Sequence, residues 1–133
     1  IPEHVPLTHH QFFNNQVNYY IDAYNRVFVH GGFNRHFPIA EQLSSTLHWD
    51  RDLFYSALLF EAMSKGGRFD GKFKNKDGFE EIFIGHTPTL NWESEYPLRA
   101  ANIWNLNTGC GIKGGLLTIM NVNTKQYWQS TDT

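Results

Sequence analysis

Short apolar runs alternate with polar, glycine-rich stretches along this chain, a pattern that predicts brief strands and few helices. Residues 17–22 (VNYYID) and 26–29 (RVFV) are rich in aromatic and β-branched side chains and flank a polar turn. They predict a β-hairpin with a buried second strand. Apolar positions at helical spacing predict the main helix over residues 50–65, ended by glycines at 66 and 67. A shorter helix is predicted around residues 11–13, with Thr8 as its cap.

Apolar runs become frequent in the second half of the chain. They cover residues 82–84, 101–106, 115–122 and 126–129, and a turn at 123–125 predicts a hairpin between the last two. Because the late strands adjoin one another, we expect a mixed, mostly antiparallel sheet with flanking helices. The 133 residues contain no internal repeat and suit one domain of α+β (α/β-type) class.

Composition narrows the class of protein. Hydrophobic residues make up 41% and charged residues 18%, as in a globular domain, and the net charge of −2 argues against a nucleic-acid partner. The single cysteine, Cys110, excludes an internal disulfide and a cysteine-based zinc site, and it favours a reducing compartment such as the cytoplasm. No apolar run reaches the roughly 18 residues of a membrane helix, so no membrane partner is expected.

Two histidines occupy similar places at the ends of predicted core strands. His30 follows residues 26–29 and precedes two glycines, and His86 follows residues 82–84 and Gly85. Strand ends at the rim of a sheet are where such folds place ligands, and imidazole is a common metal ligand. The two side chains are therefore candidates for one metal site, or else ordinary exposed histidines.

Two further segments are candidates for binding phosphate. Arg51 lies between two aspartates, and a planar guanidinium suits a phosphate group, although a helix start with acidic residues explains the same pattern. Residues 107–115 (NTGCGIKGG) contain glycines and a lysine. They lack the spacing of a phosphate-binding P-loop, which favours a glycine-bent loop between antiparallel strands.

Five short motifs, taken together in their order along the chain, are more specific than any one of them. The motifs are FVHGG at 28–32, WDRD at 49–52, IGHTP at 84–88, NTGC at 107–110 and GGLLT at 114–118. The set resembles the C-terminal half of the calcineurin-like metallophosphoesterases. It is most similar to the bacterial and phage-type serine/threonine protein phosphatases, over about residues 15–123. The resemblance implies half of a two-sheet α/β sandwich.

The resemblance also implies a function and its residues. In that family both histidines ligate one of two bridged metals, which carries metal ligation onto His30 and His86, and it carries phosphate binding onto Arg51. The parent would be a metal-dependent phosphoester hydrolase with two divalent ions (Mn, Fe, Zn or Ni), of which this chain supplies ligands for one. Its substrate would be a phosphorylated protein or a small phosphoester. Asn107 stands where the family usually has aspartate.

Three family motifs do not occur in the sequence: G-D-x-H-G, G-D-x-x-D-R-G and G-N-H-E. They carry the remaining metal ligands, a phosphate-binding arginine and the general-acid histidine. We therefore interpret residues 1–133 as a partial domain, the C-terminal half, with no catalytic general acid of its own. We expect it to bind metal weakly, to be inactive alone, and to self-associate or pair with its N-terminal half through uncovered apolar surface.

Two other interpretations stay open. The same fold and motifs serve dinucleoside polyphosphate hydrolases, and pocket-lining loops such as residues 66–79 would decide between the substrates. A non-catalytic, aromatic-rich domain would instead bind glycans on its tryptophans. The candidates are Trp49, Trp92, Trp104 and Trp128, although the strand patterns favour core positions for the last two.

Overall fold

Seven strands and three α-helices make up the part of the chain that the computed structural model describes, residues 1–65 and 71–131. The helices are α1 (Leu7–Asn14), α2 (Ser44–Trp49) and α3 (Asp52–Lys65), with short 3₁₀ turns at Ile39–Glu41 and Thr89–Trp92. The strands are β1 (Tyr19–Ile21), β2 (Arg26–Val29), β3 (Glu81–Ile84), β4 (Leu98–Ala100), β5 (Ile103–Asn105), β6 (Thr118–Met120) and β7 (Tyr127–Gln129).

Five of these strands form a mixed sheet in the order β1-β2-β3-β5-β4. The prediction of a mixed sheet in an α+β fold is confirmed. Its centre, β2-β3-β5, is parallel, and the antiparallel pairs are confined to the two edges and to the separate β6–β7 hairpin. The parallel centre arises because α2 and α3 lie between β2 and β3 in the sequence and provide the long crossover that parallel neighbours need. As a result, β2, β3 and β5 all end at the same rim of the sheet.

One face of the sheet carries the hydrophobic core. Val27, Ile82 and Ile103 are opposite one another on neighbouring strands, and each is fully buried. Leu53 and Phe54 of α3 belong to the same buried cluster. Burying an aliphatic or aromatic side chain of this size stabilises a fold by about 1.5–3 kcal/mol, so this layer fixes α3 against the sheet.

The opposite face of the sheet is aromatic. Phe28 and Phe83 stack with ring centroids 5.0 Å apart, Tyr20 lies beside Phe28, and Trp104 is opposite Phe83 in the strand register. Phe83 is buried, Phe28 and Trp104 are half-buried, and Tyr20 is 60% exposed. We call these four residues the aromatic face.

Helices α1 and α3 lie where the sequence predicts them, with two corrections, whereas α2 was not predicted. The main helix begins at Asp52, and the Asp50 carboxylate caps it by accepting the Leu53 amide at 3.1 Å. The predicted cap Thr8 instead lies inside α1, which begins after Pro6 with no side-chain cap. The glycines predicted to end α3 lie outside the described residues. Among the described helices, none combines the length and apolar character needed to cross a bilayer.

The predicted core position of Trp128 is wrong, because its side chain is 53% exposed. Trp128 pairs with Ile119 across the β6–β7 hairpin, and Ile119 is 64% exposed as well. A two-stranded hairpin buries little of either face, so the alternation of a strand pattern does not ensure burial here. Trp104 is half-buried on the aromatic face.

Candidate metal site

The two predicted ligand histidines meet at the rim where the parallel strands end. His30 directly follows β2 and His86 lies two residues beyond β3, and these strands are parallel neighbours. His30 Nε2 and His86 Nδ1 are 3.1 Å apart, and the ring centroids are separated by 5.0 Å. The fold therefore brings together two side chains that are 56 positions apart in the sequence.

His86 has an unusual backbone conformation. Its φ is +64°, in the left-handed region that non-glycine residues rarely adopt. The Thr87 amide donates to the Gly85 carbonyl at 2.7 Å, which closes a three-residue turn around His86, and the Gly85 amide donates to the His30 carbonyl at 2.8 Å. Strained backbone of this kind persists only where the surroundings enforce it, and it is concentrated at functional positions.

The glycine after His30 allows a close approach of helix α2. The Gly31 amide donates to the Leu47 carbonyl at 2.8 Å, and a β-carbon at position 31 would lie only 2.8 Å from the carbonyl carbon of His48. Only glycine fits against backbone at this distance. The contact holds the end of α2 beside β2. Trp49 at the end of α2, and Arg51 just after it, therefore lie on the side of the histidine pair.

Trp49 contacts His86, and the charge of Arg51 acts on the same imidazole. The Trp49 ring meets the His86 ring edge-to-face at 5.2 Å, and the indole is 70% exposed. Arg51 is exposed in the short connection between α2 and α3. Burial lowers the pKa of His86, and the positive charges of Arg51 and His30 lower this pKa further.

The electrostatics of the pair favour neutral imidazoles. Burial also lowers the pKa of His30, and the neighbouring His48 adds to the effect. A metal ligand must be an unprotonated imidazole nitrogen, so a lowered pKa keeps both side chains competent at neutral pH.

A metal ion fits the spacing of this pair. Two imidazole nitrogens bound about 2.0–2.1 Å from one ion, at angles between octahedral and tetrahedral, are separated by about 2.9–3.4 Å. The 3.1 Å between His30 Nε2 and His86 Nδ1 lies within this range. It is equally the length of the hydrogen bond that joins the two rings in the metal-free chain, and an ion would replace the shared proton. Within residues 1–65 and 71–131, no group of three or more His, Cys, Asp or Glu side chains is arranged to hold an ion. The described residues thus offer His30 and His86 as a pair of candidate ligands, and Asp50 is already engaged as a helix cap.

His48 is a third histidine near this site, and the sequence motifs assign it no role. Its ring centroid lies 6.4 Å from that of His30. His48 Nδ1 is 2.7 Å from the Ser44 carbonyl, and a carbonyl oxygen only accepts, so Nδ1 carries the proton and Nε2 has the free lone pair.

Asn107 and the glycine-rich segment follow the end of β5 at the same rim of the sheet. The Asn107 side chain accepts the Gly109 amide at 3.1 Å, and its carbonyl accepts the Thr89 amide at 2.8 Å. Gly109, Gly111 and Gly114 all have positive φ, which supports the interpretation as a glycine-bent loop. The loop connects β5 to β6, which belong to different sheets rather than forming an antiparallel pair.

Asn105 is the residue at this rim that sequence reasoning missed. It ends β5, is fully buried, and donates from Nδ2 to the Thr87 carbonyl at 2.8 Å. In the sequence it is one polar residue within a strand pattern, and its contact with Thr87 spans 18 positions, so no local signal marks it.

Comparison of the sequence with protein-family models and with curated proteins finds no significant match. The resemblance to metallophosphoesterases therefore rests on the ordered sequence motifs alone.

Proposed function

We infer that this chain contributes one side of a two-metal centre in a metal-dependent phosphoester hydrolase of the serine/threonine protein phosphatase type. The observation that carries the proposal is the 3.1 Å separation of His30 Nε2 and His86 Nδ1 at the ends of neighbouring parallel strands. Phosphorylated proteins and small phosphoesters are the proposed substrates, with dinucleoside polyphosphates as the competing class.

Each residue has a distinct part in the proposed chemistry. His30 and His86 would hold one divalent ion (Mn, Fe, Zn or Ni) through those two nitrogens. Bound in pairs, such ions polarise phosphoryl oxygens and make a water molecule nucleophilic. Arg51 would grip the phosphate by parallel hydrogen bonds and offset its negative charge. The exposed position of Arg51 beside the histidine pair supports this role.

The chain does not carry the whole machinery. The motifs that would supply the general acid, the bridging aspartate and the other metal are absent from the sequence. We propose that a second polypeptide segment with those motifs completes the centre, and that residues 1–133 alone do not hydrolyse phosphoesters. The exposed, unpaired thiol of Cys110 is compatible with the cytoplasmic location that we propose.

Zinc titration of the purified chain, followed by imidazole ¹⁵N NMR, tests the proposal. We expect the His30 and His86 signals to shift together, with weak affinity, and His86→Ala to abolish the response at His30. His36→Ala is the matched control, because His36 is exposed and none of its described contacts joins it to the pair.

Two outcomes would contradict the two parts of this proposal, the metal site and the need for a second half. Zinc shifts confined to the other histidines would remove the metal site and favour the aromatic-rich binding domain. Hydrolysis of para-nitrophenyl phosphate by residues 1–133 with manganese, at the rate of an intact phosphatase, would show that the chain needs no second half.

A further inference from the structure

Asn105 connects the end of β5 to the loop that carries His86. It is fully buried, and its side chain uses both ends of the amide. Nδ2 donates to the Thr87 carbonyl at 2.8 Å, and Oδ1 accepts the Asn107 amide at 3.1 Å. We propose that Asn105 is a positioning residue that fixes the His86 imidazole for metal binding, an inference that rests on the proposed function.

The chemistry of this position selects an amide. One end must donate to a carbonyl and the other must accept from a backbone amide, and asparagine does both in a single short side chain. An aspartate of the same shape would accept from Asn107 but would turn a second acceptor towards the Thr87 carbonyl. Thr87 is 3% exposed, so water cannot readily replace the lost donor.

His86 needs such support because its own conformation is unfavourable. Its φ of +64° is held between the Gly85 amide, bonded to the His30 carbonyl, and the turn closed by Thr87. The strand ladder fixes the Gly85 side of this turn. On the other side, the next backbone hydrogen bond runs from the Thr89 amide to the Asn107 carbonyl, two residues beyond Thr87. Asn105 fixes the other side through the Thr87 carbonyl, so releasing it lets His86 relax and moves Nδ1 away from His30 Nε2.

Asn102 offers a matched control at the opposite end of the same strand. Its Nδ2 donates to the Phe79 and Glu80 carbonyls at 3.2 and 3.3 Å, and it is half-buried. Asn102→Asp therefore removes the same kind of hydrogen bond, by the same isosteric change, away from the histidine pair.

The experiment compares Asn105→Asp and Asn102→Asp in the purified chain by two readouts. Without metal, imidazole ¹⁵N NMR reports the environment of His86. With zinc chloride, the same spectra give the affinity at the pair. We expect both variants to lower the melting temperature, but only Asn105→Asp to shift the His86 resonances and to weaken zinc binding about tenfold, as for other residues that orient a metal ligand.

The two readouts separate this inference from the proposed function. Unchanged His86 resonances in Asn105→Asp, or equal shifts in both variants, would overturn the positioning role. If wild-type chain failed to bind zinc at the pair, the proposed function would fail, while the metal-free spectra would still decide whether Asn105 positions His86. Should Asn105→Asp not fold, Asn105→Ser decides by the same metal-free comparison, since its shorter side chain also loses the bond to Thr87.

Discussion

At the residue scale, the most informative position is a histidine in a conformation that histidine disfavours. A left-handed backbone costs a non-glycine residue about 1–2 kcal/mol, and glycine avoids this cost. At φ +64° the chain nevertheless has His86, next to a glycine at position 85. Under the proposed function, the placement of the imidazole rather than the stability of the turn accounts for the residue type.

The strained backbone of His86 predicts which of two substitutions there gives the more stable protein. His86→Gly and His86→Ala both remove the imidazole, but only glycine relieves the strained φ. We expect the glycine variant to be more stable than the alanine variant by about 1 kcal/mol in urea unfolding. The same pair of changes at His30, which has no positive φ, is the control and should favour alanine. If the glycine variant were the more stable one at both positions, backbone strain at His86 would not explain the difference.

At the scale of elements, local signals predicted local structure. The hairpin of β1 and β2, the helix α3 and the strand β3 follow from periodicity and turn residues. The glycine-flanked strand ends singled out His30 and His86, and the fold brings these two rings within 3.1 Å of each other. What the sequence left unpredicted, and the one wrong prediction for Trp128, depend on long-range packing. The parallel centre of the sheet depends on which strands pair, and the exposure of Trp128 depends on which elements pack against its hairpin. The hydrogen bond from Asn105 to Thr87 joins the end of β5 to the loop after β3.

The contact between α2 and the end of β2 can be tested through one glycine. In Gly31→Ala the new β-carbon would meet the His48 backbone at 2.8 Å, so the helix must shift. We expect a loss of about 1–3 kcal/mol in the free energy of unfolding, the usual cost of overpacking. At Gly85 the nearest atom would be 3.7 Å away, an ordinary contact. Gly85→Ala should stay within about 0.5 kcal/mol of wild type, and equal losses in both variants would refute the close approach.

At the scale of the whole molecule, the sheet is covered unequally on its two sides. The core face packs under α3, whereas the aromatic face leaves Tyr20 60% exposed and Phe28 and Trp104 half-buried. Tyr20 also lies on β1, an edge strand of the sheet. Contiguous apolar surface beside an open strand edge is typical of a site that binds another chain. The proposed second half of the phosphatase domain would be such a partner.

A charge introduced on the aromatic face tests the idea on the isolated chain. Without its proposed partner, we expect the wild-type chain to self-associate at tens of micromolar, because association removes the aromatic face from water. Tyr20→Lys places a charge on that face and should return the chain to a monomer in sedimentation velocity. Leu59→Lys is the matched control, since Leu59 is 62% exposed on α3, the helix that packs on the opposite face. A monomeric wild type, or equal dissociation by both variants, would show that the aromatic face does not drive association.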